Sequence, residues 1–152
     1  MDDLTQRIRL ASGRGKADLL LRNGRVIDVF SCQIERKDVA IWQGLIVGFG
    51  DYSARKVIDL EGAFLGPGLI DGHVHVESSL VTLPHFARSV VVRGTTTVVI
   101  DPHEIANVCG MEGVRFMIAN GKTVPFKFNF GAPSCVPATS FETAGATLDS
   151  TD

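Results

Sequence analysis

The sequence predicts an α/β protein with a β-rich first segment and a strand–helix alternation after it. Three observations carry this. Between Ala17 and Leu65, runs of apolar and β-branched residues are separated by two-residue turn signals such as Asn23-Gly24, Gln43-Gly44 and Glu61-Gly62, the pattern of short strands joined by tight turns. From Gly68 the rhythm becomes strand, helix, strand, helix, strand, the signature of βαβ units and a parallel sheet. Within that second region, residues 66–77 read G-P-G-L-I-D-G-H-V-H-V-E and set two histidines two positions apart in an apolar run. Side chains at such spacing share one face of a strand.

Residues 1–16 are polar and read as a short lead-in or a disordered segment. The segment 17–66 then follows as A-D-L-L-L-R, a turn at Asn23-Gly24, R-V-I-D-V-F, K-D-V-A-I-W, a turn at Gln43-Gly44, L-I-V-G-F-G, K-V-I-D-L and a turn at Glu61-Gly62. Strands of that length predict a small antiparallel sheet or sandwich, or equally a core segment of a larger β domain. After the Pro67-Gly68 turn, L-I-D-G-H-V-H-V predicts a strand and Leu83 to Arg93 a helix closed by Gly94. T-T-T-V-V-I predicts a second strand that ends in Asp101-Pro102-His103-Glu104. A helix within Ile105 to Asn120 stops at Gly121, with Gly110 and Gly113 weakening its first part. V-P-F-K-F-N-F predicts a third strand, and a Gly/Pro/Ser/Thr-rich stretch follows from Gly131. Catalytic groups sit at the C-terminal ends of strands in a parallel barrel, but a complete (β/α)8 barrel takes roughly 250 residues. Residues 67–152 hold about three βα units at roughly 30 residues each, so the chain reads as the front end of a longer protein.

The composition excludes several classes. A formal net charge of −2 with 45% hydrophobic and 21% charged residues gives no electrostatic case for nucleic acid or an anionic membrane as partner. The N-terminus has no apolar signal-peptide core, and no run approaches the ~18 residues of a membrane span; a cytoplasmic location is expected. Cys32, Cys109 and Cys135 are odd in number and form no C-x-x-C pair, which predicts reduced thiols, Cys109 and Cys135 as small buried residues.

Asp71, His73 and His75 line up on one side of the first strand of the second region, opposite Ile70, Val74 and Val76. Two adjacent imidazoles on a rigid strand make half of a transition-metal site; the alternative is a hydrogen-bonded pair at a strand end. Asp71 either orients an imidazole from behind or accepts a structural hydrogen bond. Glu77, Ser78 and Ser79 lie just past the strand, placed either to contact substrate or to cap the next helix. Asp101, His103 and Glu104 are placed to support the histidines, touch substrate or hold a further metal; the alternative is an Asp-Pro turn at a helix N-terminus, where carboxylates are favoured anyway. Glu77, His103 and Glu104 are the candidates for acid–base catalysis. Ser134 to Thr139 either line a substrate pocket or form a bare loop. Glu142 has no assigned role, and His85 is expected on a solvent-facing helix side. His75-Val76-Glu77 fits the H-x-E of zinc deaminases formally, but no P-C-x-x-C follows, and that reading fails.

Pro67 to His75, preceded by I-D-L-E-G, resembles the amidohydrolase superfamily of metal-dependent hydrolases. Within it, H-V-H-V-E-S-S (73–79), R-G-T-T-T-V-V-I-D-P-H-E-I-A-N-V-C-G (93–110), P-S-C-V-P-A-T (133–139) and F-E-T-A-G-A (141–146) resemble the bacterial-type adenine deaminases. The similarity runs from about Ala17 to the end. H-x-H alone marks only the superfamily; the second and third segments are the specific ones. The resemblance implies a (β/α)8 TIM-type barrel preceded by a small β-sandwich segment. It also implies His73 and His75 as ligands of a divalent metal, Mn2+ or Fe2+ with Zn2+ possible, in a binuclear centre whose other ligands come from later strands. The implied reaction is hydrolytic deamination of adenine to hypoxanthine and ammonia. Ser78, Ser79 and Ser134 are implied purine contacts, and a homo-oligomer is implied at full length. Alternatives are an amidohydrolase acting on a cyclic amide, dihydroorotase- or hydantoinase-like, which would share H-x-H but not D-P-H-E-I-A-N-V, and a catalytically inactive N-terminal fragment.

Overall fold

The computed structural model describes residues 3–149 and 151, in two compact units that divide between Pro67 and Gly68. The first opens with helix α1 (Asp3–Ala11), so the described part of the expected lead-in is ordered; Met1 and Asp2 lie outside the described residues. A nine-residue helix is marginal by itself, and tertiary contacts account for it. Leu10 is buried, the Tyr52 hydroxyl donates to the Ala11 carbonyl at 2.9 Å, and Arg7 pairs with Asp3 one turn away.

Five strands follow: β1 (Ala17–Asp28), β2 (Gln33–Trp42), β3 (Leu45–Phe49), β4 (Ala54–Asp59) and β5 (Phe64–Leu65). They form one sheet in the order β3-β2-β1-β4, with β5 also on β1. β2 runs antiparallel to β1 and β3, whereas β4 and β5 are parallel to β1, so the sheet is mixed rather than antiparallel throughout. Gln43-Gly44 is a hairpin turn, both residues at positive φ. Asn23-Gly24 is not: β1 passes straight through, with Asn23 alone at φ 58 and a register shift between Leu21 and Gly24. A two-residue type I′ turn needs positive φ at both central residues; one such residue makes a bulge. The bulge faces the Glu61-Gly62 turn, which is a jog between β4 and β5 along the same neighbour. Leu60 N–H donates to Arg22 O at 2.8 Å, Gly62 N–H to Asn23 O at 2.9 Å and Arg25 N–H to Ala63 O at 2.9 Å, and Asn23 Nδ2 reaches Asp59 at 2.8 Å. Ala17, Leu20 and Ala40 centre this unit's core.

The second unit is β6 (Leu69–Val74), a 3-10 turn (Val76–Ser79), α2 (Leu83–Val91), β7 (Thr95–Ile100), α3 (His103–Gly121) and β8 (Lys127–Phe130). The three strands are parallel in the order β6-β7-β8, the α/β alternation that the sequence rhythm predicts. The chain turns after α2 at Gly94, φ 96. α3 is kinked at Gly110 (φ 58, ψ −150), a backbone region open in practice to glycine alone. Val76, Leu83, Val98, Ile100 and Met117 form the core. After β8 the chain folds back over α3: Val136 and Leu148 pack against Ala106 and Val114, and Gly145 N–H donates to the Asn107 carbonyl at 2.7 Å. No helix among the described residues is long and apolar enough to cross a membrane.

Candidate metal centre

The C-terminal ends of β6 and β7 lie side by side. Val74 pairs with Ile100, and Asp101 N–H donates to the Val74 carbonyl at 3.1 Å. That register sets His75, the residue after β6, beside Asp101, the residue after β7. His75 Nδ1 lies 3.0 Å from the Asp101 carbonyl oxygen. A carbonyl only accepts, so Nδ1 carries the proton, and in the neutral ring Nε2 keeps its lone pair. That Nε2 faces His73 Nε2 at 3.0 Å, with the two rings edge to face. His103 packs edge-on against His75, ring centroids 4.6 Å apart, and its Nδ1 is 3.2 Å from Asp101 Oδ2. Side chains two apart at the end of β6 and the main-chain carbonyl just after β7 thus bring the His73 and His75 imidazoles together, with the His103 ring packed beside them.

The donor set fits a divalent transition metal. Two nitrogens bound to one ion at about 2.1 Å stand about 3.0–3.4 Å apart for angles of about 90–110°, and the observed spacing falls there. Ligand atoms of His73, His75 and Asp101 lie within 4.8 Å of one another. Asp101 Oδ1 is buried without a hydrogen-bond partner, a costly arrangement that a cation would relieve. Two imidazoles and a carboxylate suit Mn, Fe or Zn.

The other predicted residues divide into two groups. Asp71 Oδ1 accepts from the His73 backbone N–H at 3.1 Å, anchoring the main chain and not a ring. Glu77 Oε1 accepts from the Ile105 N–H at 3.3 Å, Ser78 donates to Glu104 Oε1 at 2.7 Å, and Ser79 donates to the Val76 carbonyl at 2.5 Å. These side chains tie backbone segments together beside the histidines. Ser134 is exposed on the segment after β8 and meets Cys135 Sγ at 4.0 Å; no described contact joins it to the histidines. His85 is exposed on α2, against Thr82. Cys109, expected to be buried, is exposed where α3 kinks at the neighbouring Gly110.

Two contributors carry no sequence signal as sites. The Asp101 carbonyl acts through the main chain, which no side-chain pattern reveals. Asn107 donates to the His103 carbonyl at 3.0 Å and the Cys135 carbonyl at 3.5 Å; its spacing of four from His103 on a helix was the available clue.

Residues 64–151 match the amidohydrolase family. The chain is 50% identical over 151 residues to an adenine deaminase of Bacillus velezensis, covering 99% of this chain and 26% of that protein. It is 51% identical over 146 residues to an adenine deaminase of Nitratidesulfovibrio vulgaris (96% and 25%) and 47% identical over 140 residues to that of Petrotoga mobilis (92% and 25%). The chain therefore spans about a quarter of the length of these curated relatives. Among solved structures, a D-aminoacylase overlays with a TM-score of 0.48 at 35% identity, covering 56% of this chain and 18% of that one.

Proposed function

The chain belongs to the amidohydrolase family, and we propose that it supplies His73 and His75 to a metal site that deaminates adenine hydrolytically, giving hypoxanthine and ammonia. The observation that carries this is the pair of Nε2 atoms 3.0 Å apart beside the unpartnered Asp101 carboxylate oxygen, in a chain about half identical to adenine deaminases along nearly its whole length. In this reading β6, β7 and β8 are the first three strands of a (β/α)8 barrel, residues 17–66 belong to a small composite sandwich, and residues 1–16 lead into it. The protein acts in the cytoplasm as a homo-oligomer, with adenine as its small-molecule partner and neither nucleic acid nor membrane.

His73 and His75 would hold Mn2+ or Fe2+, with Zn2+ the alternative, in one half of a binuclear centre. When bound, the metal supplies the Lewis acidity that brings a water to hydroxide near neutral pH. The residues of this chain orient and move protons. The Asp101 carbonyl fixes the His75 tautomer and ring plane. Asp101 Oδ2 holds the His103 Nδ1 proton, making His103 the acid–base group for a departing amine that is a poor leaving group unprotonated. Glu104, engaged by Ser78, and Ser79, turned to its own backbone, shape the wall; Ser134 contributes to purine binding from the segment after β8.

The test replaces the N-terminal quarter of the Bacillus velezensis relative with this chain. Hypoxanthine formation from adenine that needs Mn2+, is abolished by a chelator and falls at least 100-fold in H73A is the expected result. A folded, Mn2+-loaded hybrid that leaves adenine untouched, or that opens a cyclic amide such as dihydroorotate instead, overturns the proposal.

A further inference from the structure

Glu77 sits in the 3-10 turn after β6, yet its carboxylate is directed at another element. Oε1 accepts the Ile105 N–H at 3.3 Å, one of the first-turn amides of α3 that has no partner inside the helix. Oε2 is buried with no hydrogen-bond partner. A buried carboxylate held by a single bond is costly in isolation, and the unpaired amides at the start of α3 offset part of that cost. One residue further, Ser78 donates to Glu104 Oε1 at 2.7 Å. Two successive residues of the β6 loop therefore grip two successive residues at the start of α3. Between these grips and the strand ends lie Asp101 and His103. His103 is held on its far side by Asp101 Oδ2 and lies edge-on to the His75 ring at 4.6 Å.

We propose that Glu77 is a positioning residue rather than an acid–base catalyst: together with the Ser78–Glu104 pair it clamps the β6 loop to the α3 N-terminus and so holds His103 against His75. The inference rests on the metal-site reading above. It reassigns the acidic residue that sequence spacing makes the nearest candidate for proton transfer, because one oxygen is spent on a helix amide and the other is buried away from solvent. The chemistry asked of Glu77 is acceptance of one N–H, which a glutamine carbonyl also provides.

The experiment uses the full chain and reads ring proximity without requiring turnover. Nuclear Overhauser contacts between the His75 and His103 ring protons are expected in the wild type and in E77Q, and are expected to be lost in E77A. Mn2+-induced broadening of the His73 and His75 ring signals follows the same order, its midpoint within about threefold of wild type for E77Q and at least tenfold higher for E77A, the scale of losing a group that supports a ligand. If E77A fails to fold, S78A carries the test: the ring contact weakens and the Mn2+ midpoint rises at least threefold. An unchanged ring contact in folded E77A, or in S78A, overturns the clamp. So does loss of both signatures in E77Q, which would make the charge itself essential. H73A separates this outcome from the parent reading: if Mn2+ still broadens His75 at the wild-type midpoint in H73A, the metal-site assignment fails whatever Glu77 does.

Discussion

His75 is fixed by what each of its nitrogens can do. One ring nitrogen meets a carbonyl and must donate, which leaves the other to offer a lone pair toward His73. Asp101 therefore acts twice, through its main-chain oxygen on His75 and through its carboxylate on His103. Asp101→Asn separates the two roles: the carbonyl remains and the charge goes. His75 should keep its Nδ1-protonated tautomer, read from ring 15N shifts, while Mn2+ affinity falls about 10-fold or more; a changed tautomer would show that the carboxylate sets it. A shifted titration lies away from the site. The Phe30 N–H, then the Ser31 hydroxyl and backbone, hold the Asp28 carboxyl below the usual carboxylate range. A folded-state pKa below the unfolded one stabilises above the ordinary value and is lost as pH falls through the depressed one. The Phe30 and Ser31 amide signals should thus hold steady from neutral pH through the ordinary aspartate range and shift only below it. In D28N they should not titrate there.

At the scale of elements, the sequence was most legible where local and long-range demands agree. The strand–helix–strand rhythm over 69–100 implies adjacent parallel strands joined through a helix, and β6 and β7 pair in that way. The Asn23-Gly24 pair shows the opposite case. Its local chemistry suits a hairpin, yet β1 continues, because Asp59 and Asp38 on the two flanking strands each take a hydrogen bond from Asn23. The partner strands, invisible in a local window, decide. N23A should cost about 1 kcal/mol, from an alanine held at positive φ and a lost side-chain bond; N23G, which keeps the backbone free, should cost less by urea denaturation. In α3 the glycines were legible as weak points, but their purpose was not. The kink at Gly110 faces the returning segment, and a Cβ on Gly145 would stand 2.5 Å from the Val108 carbonyl oxygen. Backbone cannot yield as a side-chain tip can. G145A should release residues 131–149 from α3, seen as new proteolytic cleavage there with β6 to β8 still protected; unchanged cleavage would show that the segment is held elsewhere.

Over the whole chain, the two units bury little beside what they expose. In the first, Ala17, Leu20 and Ala40 centre the core while Phe30 is 98% and Ile46 62% exposed; in the second, Ile70 on β6 is 69% and Val92 75% exposed. Alternating strands betray which residues share a face. They do not betray what covers a face, since that depends on chain supplied from elsewhere. Relatives about four times as long would provide such cover if β6 is the first strand of a barrel, and Ile70 is the place to ask. In this chain Ile70→Lys removes little packing, so stability by urea denaturation should change by no more than about 0.5 kcal/mol, with solubility improved by a charge on an open sheet. In the hybrid carrying the remainder of the Bacillus velezensis relative, the same lysine would be forced into a packed, dry layer without a partner, at a cost of about 2–5 kcal/mol. A small cost in both would mean that this face stays in water even in the longer protein, and the barrel assignment of β6 would fall with it.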